Sequence, residues 1–69
     1  MQVTSEVAGT IWKLQKQVGD AVDTGESILL IESMKMEIPV VSPQAGTIKE
    51  ILVSEGEMVE EGQPLVQLG

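Results

Sequence analysis

Residues 32–37 read Glu-Ser-Met-Lys-Met-Glu, and Lys35 stands at the exact middle of the chain, with 34 residues on either side. The text flanking this hexamer is nearly the same on both sides. A shift of 37 positions lays Val3 on Val40, Ser5 on Ser42, and Ala8-Gly9-Thr10-Ile11 on Ala45-Gly46-Thr47-Ile48. The same shift lays Gly19 on Gly56, Val22 on Val59 and Gly25 on Gly62. Every glycine except Gly69 therefore has a counterpart. The hexamer lies where the copies join, as an insert on a repeated frame.

The repeat sorts the remaining positions. Leu14 falls on Ile51, Leu29 on Val66 and Ile31 on Leu68, which marks core positions. Leu30 falls on Gln67, which turns that position outward, and Trp12, the only tryptophan, falls on Lys49, which predicts a partly exposed ring lying on a sheet. Asp20 and Asp23 fall on Glu57 and Glu60, so both copies keep an acidic loop.

Short runs rich in Val, Ile, Leu and Thr, punctuated by Gly, Pro, Asp and Ser, read as strands. They cover residues 2–5, 10–15, 27–33, 37–41, 47–53 and 64–68. Ala8-Gly9 and Pro43–Gly46 read as turns, with Gly9 and Gly46 expected to use backbone angles that other residues avoid. Pro39 fits only a sheet edge or a bulge. Neither copy can bury a hydrophobic face alone, but two copies related by an approximate two-fold axis can. The expected product is an all-β, single domain over residues 1–69: a flattened barrel or sandwich of two small antiparallel sheets. Its halves run over about 3–32 and 40–69, and 32–37 forms a hairpin at the end opposite the chain termini.

Composition narrows the function. Eleven acidic residues against four lysines give a net charge of −7, which opposes nucleic acid and anionic membrane surfaces. The longest apolar run, Ile28–Ile31, is too short to cross a bilayer, and the start of the chain lacks the pattern of a signal peptide. A cytoplasmic monomer is expected. With no Cys and no His there is no disulfide framework, no zinc site and no catalytic constellation.

The hairpin tip is unusual. Tight hairpins favour Asn-Gly or Asp-Gly because their turns need positive φ. Met34-Lys35 offers neither, so the tip is either a type I turn or a mildly strained one. Two flexible thioether side chains at an exposed point suit a surface on which another protein docks. Local composition alone would equally fit an ordinary surface lysine. The position of Lys35 at the join of a two-fold repeat argues for more.

Glu32-Ser33-Met34-Lys35-Met36-Glu37-Ile38 resembles the attachment site of the biotinyl domains, commonly Glu-Ala-Met-Lys-Met. Ala45-Gly46-Thr47-Ile48, Gly56-Glu57-x-Val59-x-x-Gly62 and Pro64-Leu65 also look like that family's second half, so the resemblance spans essentially the whole chain. Ser33, where Ala or Val is commoner, and Gln63, where some carriers have an acidic residue, depart from the pattern. The resemblance implies the barrel-sandwich hybrid fold without the protruding thumb of some biotin carboxyl carrier proteins, since 18–25 is too short for one. The nearest look-alikes are free-standing biotin/lipoyl attachment proteins.

What the resemblance implies for function is a carrier, not an enzyme. Lys35 would receive biotin covalently from a biotin protein ligase. Met34 and Met36 would be read by the ligase and partner enzymes, and Glu32 by the ligase. The carrier would serve biotin carboxylase and carboxyltransferase subunits. A lipoyl carrier, or a dual biotin/lipoyl acceptor, with Lys35 lipoylated by a lipoyl ligase, is the alternative. Lipoyl sites usually read Asp-Lys-Ala, so the Met34/Met36 pair favours biotin. A cofactor-free adaptor module is a third reading.

Overall fold

The computed structural model describes residues 1–69 as eight strands and no helix. They are β1 (Gln2–Thr4), β2 (Gly9–Leu14), β3 (Ala21–Val22), β4 (Ser27–Ser33), β5 (Met36–Val41), β6 (Gly46–Ile51), β7 (Met58–Val59) and β8 (Pro64–Leu68). They form two four-stranded antiparallel sheets, β1-β8-β6-β3 and β5-β4-β2-β7. The all-β, two-sheet expectation holds. Under the 37-residue shift, β1, β2, β3 and β4 map onto β5, β6, β7 and β8. Each sheet therefore takes two strands from each half, and the two halves are interlocked rather than stacked.

The interlock is made by backbone hydrogen bonds that occur twice. Ser5 donates to the carbonyl of Gln63 (2.9 Å) and Gly62 donates to that of Ser5 (2.7 Å); in the other copy Ser42 donates to Glu26 (2.9 Å) and Gly25 to Ser42 (2.7 Å). Ile11 donates to Glu57 and Gly56 to Ile11, matched by Ile48 to Asp20 and Gly19 to Ile48. Each loop is thus tied to a strand of the opposite half. Ser5 and Ser42 are fully buried, and their hydroxyls are satisfied by the carbonyls of Val7 and Gln44. A buried hydroxyl without such a partner would cost about 1–3 kcal/mol.

The core obeys the same shift. Its thirteen buried residues include the pairs Val3/Val40, Ile11/Ile48, Val22/Val59, Ile28/Leu65, Leu29/Val66 and Ile31/Leu68. Val53 is the exception; its counterpart, Lys16, instead forms an ion pair with Glu26 at the surface. Leu14 and Ile51 pack against this core while half-buried, so they border it rather than form its centre. Burial of each such aliphatic side chain contributes about 1.5–3 kcal/mol. β2 and β6 each carry one extra residue opposite their partner strand, Trp12 and Lys49 respectively. These matched bulges turn both side chains outward, and Trp12 is about half exposed, at 48%. Pro39 lies on β5, an edge strand, where its missing N–H costs no ladder bond.

Two expectations need correcting. Gly9 and Gly46 do not form turns with positive φ; they open strands β2 and β6, and the positive-φ glycines are Gly19, Gly25, Gly56 and Gly62 in the acidic loops. Gly9 is required by proximity instead. A Cβ there would stand 2.5 Å from the Glu32 carbonyl oxygen and 2.7 Å from Cγ2 of Ile31. At Gly46 the nearest atom, the Gly69 oxygen, would be 3.1 Å away. The second correction is that Val22 and Val59, which lie outside the strands expected from the sequence, belong to two-residue strands, β3 and β7, at the sheet edges.

The two glycines should therefore respond unequally. Gly9→Ala is expected to lose about 1–3 kcal/mol of stability, as overpacking does, and Gly46→Ala distinctly less. Urea unfolding followed by far-UV circular dichroism reads both; equal midpoints, or the reverse order, would refute the close-approach account.

Candidate functional site

β4 and β5 pair over most of their length, in the register Leu29↔Val40, Leu30↔Pro39, Ile31↔Ile38, Glu32↔Glu37 and Ser33↔Met36. Only Met34 and Lys35 remain to reverse the chain. A two-residue connection favours a turn with positive φ at both central residues, because only that twist matches the strands it joins. Met34 has φ of 53° and Lys35 of 66°. They are the only non-glycine residues in the structure with positive φ. The tip is thus not a type I turn but has the backbone signature of its mirror image, and it is strained. An L-residue in this region costs about 1–2 kcal/mol.

This geometry fixes where the side chains go. Met34 is 92% exposed and Met36 63%, so both thioethers stand in solvent beside Lys35. The Lys35 amine, also exposed, has neither an ion pair nor a hydrogen bond. Lys16 differs: its hydrogen bond to Glu26 raises its pKa and lowers that of the carboxylate. Glu32 and Glu37 face each other across the hairpin, one pair below Ser33 and Met36, and both are exposed. Like charges placed opposite one another weaken a hairpin by a few tenths of a kcal/mol. No lysine neutralises them, so the tip carries a local negative charge.

The sequence-predicted residues Glu32, Met34, Lys35 and Met36 are brought together at one convex tip. The structure's one groove, about 310 Å³, lies elsewhere, between edge strands β1 and β5, where Val3, Val7, Ile38 and Val40 contribute to its lining. No cluster of side chains could hold a metal ion. The arrangement offers an exposed amine at the tip of a hairpin, with no enclosed reaction chamber around it.

Sequence reasoning passed over the sheet face below the tip. The register lines up Met58, Thr10, Glu32 and Glu37 as one row across β7, β2, β4 and β5, with Leu30 and Pro39 in the next row of β4 and β5. Their neighbours along the strands, Val59, Ile11, Ile31, Leu29 and Val40, are buried, so this row set points outward. Met58 is 79% exposed and Val41 45%. The signal that could have found this face was the mismatch between the halves. Trp12, Leu30, Pro39, Val41 and Met58 have as counterparts Lys49, Gln67, Gln2, Thr4 and Ala21.

Comparison with known proteins agrees with the fold. The family model described as biotin-requiring enzyme matches residues 1–68. A biotin/lipoyl attachment protein of Bacillus subtilis is 41% identical over 68 residues, which cover 99% of this chain and 93% of that protein. The dihydrolipoyllysine-residue succinyltransferase component of the 2-oxoglutarate dehydrogenase complex of Staphylococcus saprophyticus is 48% identical over 61 residues, 88% of this chain and 14% of that protein. Among solved structures, the urea carboxylase of Kluyveromyces lactis superimposes with a TM-score of 0.95 at 35% identity, over 100% of this chain and 6% of that one. The chain belongs to the biotin/lipoyl attachment domain family.

Replacing Met34 by Asn, which tolerates positive φ better, should relieve part of the strain. Stability is expected to rise by about 0.5–1 kcal/mol, read as an upward shift of the urea midpoint at unchanged slope. A midpoint that falls would mean the methionine is not held against its preference.

Proposed function

We propose that this protein is a biotin carboxyl carrier whose Lys35 is biotinylated by a biotin protein ligase. The observation that carries the reading is the tip itself: a free amine on a two-residue turn of fixed geometry, between two exposed methionines. Methionine side chains give a docking enzyme adaptable apolar contact, and lipoyl sites usually read Asp-Lys-Ala, without the pair. The likeness to the urea carboxylase structure supports the same reading.

The acceptor chemistry follows from the side chain. The amine must lose a proton to act as a nucleophile, and a free lysine is protonated at neutral pH. The ligase removes that proton and presents biotin as its acyl-adenylate. Nζ of Lys35 attacks the acyl carbon, an amide bond forms, the bond to AMP breaks, and AMP leaves. Lys35 loses its charge in the process. Once attached, biotin supplies the ureido nitrogen that takes up and gives back a carboxyl group. The residues of this chain hold the attachment point away from the body of the domain, which leaves it accessible to biotin carboxylase and carboxyltransferase active sites in turn. The protein provides no acid, base or metal of its own, and works as a non-catalytic cytoplasmic monomer.

A lipoyl carrier is the second reading, and one observation favours it: the 48% identity to a dihydrolipoyllysine-residue succinyltransferase component. Intact mass of protein purified from its own host, with peptide mapping around Lys35, decides between them. A biotin-sized addition on Lys35 is expected. A lipoyl-sized addition alone would overturn the biotin reading in favour of 2-oxo acid chemistry, and an unmodified chain would overturn both. Lys35→Arg should fold with the same urea midpoint to within about 0.5 kcal/mol and take up no biotin from purified ligase, since a guanidinium is not an acyl acceptor. Labelling of that variant at Lys13, Lys16 or Lys49 would show the assignment to be wrong.

A further inference from the structure

The internal repeat gives each outward position a control. The fold makes the same demands on the outer faces of both sheets, because matched strands, bulges and loop bonds build them. On one sheet these positions hold Lys49, Gln67 and Ala21. On the sheet that bears the Lys35 hairpin they hold Trp12, Leu30 and Met58. Folding is satisfied by the first set, so it cannot be what requires the second. Trp12 and Met58 are exposed and Leu30 is half-buried; apolar side chains grouped on one outer face need a separate cause.

Position supplies that cause. The row Met58-Thr10-Glu32-Glu37 crosses the sheet at the second residue on either side of the turn. At about 3.3 Å per residue and about 4.8 Å per strand, Glu32 and Glu37 lie within about 7 Å of the turn and Met58 about 10 Å to the side of Glu32, an area within the footprint of an enzyme that encloses the Lys35 amine. Two unneutralised carboxylates, Glu32 and Glu37, border the apolar area on the tip side. We infer that the outer face of the β5-β4-β2-β7 sheet is the docking surface for the ligase that acylates Lys35, which meets it with an apolar patch edged by Lys or Arg side chains. This inference rests on the reading of Lys35 as the biotin acceptor. A second copy of the chain is a poorer occupant. A two-fold contact through this face would bring together two chains of net charge −7, each with two free carboxylates beside the contact.

The fold names its own test substitutions. Trp12→Lys combined with Leu30→Gln places on this face the residues that the other half already carries at the matched positions, so the variant should fold; far-UV circular dichroism and urea unfolding verify it. Initial rates of biotin transfer by purified biotin protein ligase, with ATP and biotin saturating, are then measured against the concentration of unmodified carrier. The double variant is expected to show a KM raised at least about tenfold, as loss of an apolar anchor at an interface does, with kcat nearly unchanged because Lys35 and its turn are intact. Gln67→Ala, on the opposite sheet, should match the wild type. Glu32→Gln with Glu37→Gln should flatten the dependence of KM on salt. Superimposable rate curves for the wild type and the folded double variant would overturn the inference while leaving Lys35 as the acceptor. Wild-type protein that sediments as a dimer, with a double variant that is monomeric and labelled at the same rate, would overturn it in favour of a second copy. Wild-type protein that takes no biotin would remove the reading of Lys35, and this inference with it.

Discussion

Everything in this fold depends on the exchange of backbone hydrogen bonds between its two halves. Gly62 and Gln63 of one half bond Ser5 of the other, and Gly25 and Glu26 bond Ser42 in return. A half by itself would leave these donors and acceptors to solvent and would expose the faces that the Ile11/Ile48 and Ile31/Leu68 pairs cover. The halves therefore fold as one cooperative unit. Because each sheet draws strands from both halves, the chain must cross from one copy to the other by a single connection that leaves the sandwich. That connection is the β4–β5 hairpin. Its prominence is a consequence of the topology before it is a feature of function.

The strain at Met34 and Lys35 follows from the same constraint. Pairing down to Ser33↔Met36 leaves two residues for the reversal, and the inward positions Leu29, Ile31 and Val40 fix the register, because a slip of one residue would turn all of them to solvent. Several buried aliphatic side chains, each contributing about 1.5–3 kcal/mol, outweigh two left-handed residues at about 1–2 kcal/mol each. The packing therefore over-determines the turn, and the turn residues are freed from turn chemistry. Glycine or asparagine would suit the backbone better; a lysine between methionines can stand there because the hairpin does not depend on it. The outcome combines a post of fixed direction with a long, mobile side chain at its end.

Much of this was legible in the sequence, for a definite reason. A duplicated sequence is read twice, so a position such as Ile31, ambiguous by itself, is fixed by its agreement with Leu68. The two-sheet fold and the hairpin at the join came from that agreement, the outward Trp12 came from its mismatch with Lys49, and Glu32, Met34, Lys35 and Met36 are gathered because they are near neighbours in the hexamer at the join. What escaped was local backbone geometry. Gly9 and Gly19 look alike in sequence, yet Gly19 has φ of 97° and Gly9 is restricted by the approach of Glu32 and Ile31 from another strand. That approach is a tertiary fact, and no spacing of residues encodes it. The sign of φ at the tip likewise depends on how far the strands pair, and the sequence expectation placed the start of β5 one residue late, at Glu37.

The outer face of the Lys35-bearing sheet escaped for a different reason. Agreement between halves reveals what the fold needs, whereas function is recorded in their disagreement. Lys49 and Trp12 occupy matched bulges, and the fold accepts either. Taken singly, each mismatch looks like drift on a tolerant surface. Taken together on the sheet register, Trp12, Leu30, Pro39, Val41 and Met58 all lie on one side of the molecule, the side that carries the Lys35 hairpin, while their polar or small counterparts lie on the other. A symmetric frame with an asymmetric surface has only one break that topology supplies by itself, the hairpin at the join. The coincidence of the apolar face with that break is what ties the face to the lysine, because nothing in the folding of two equivalent sheets would choose one of them over the other.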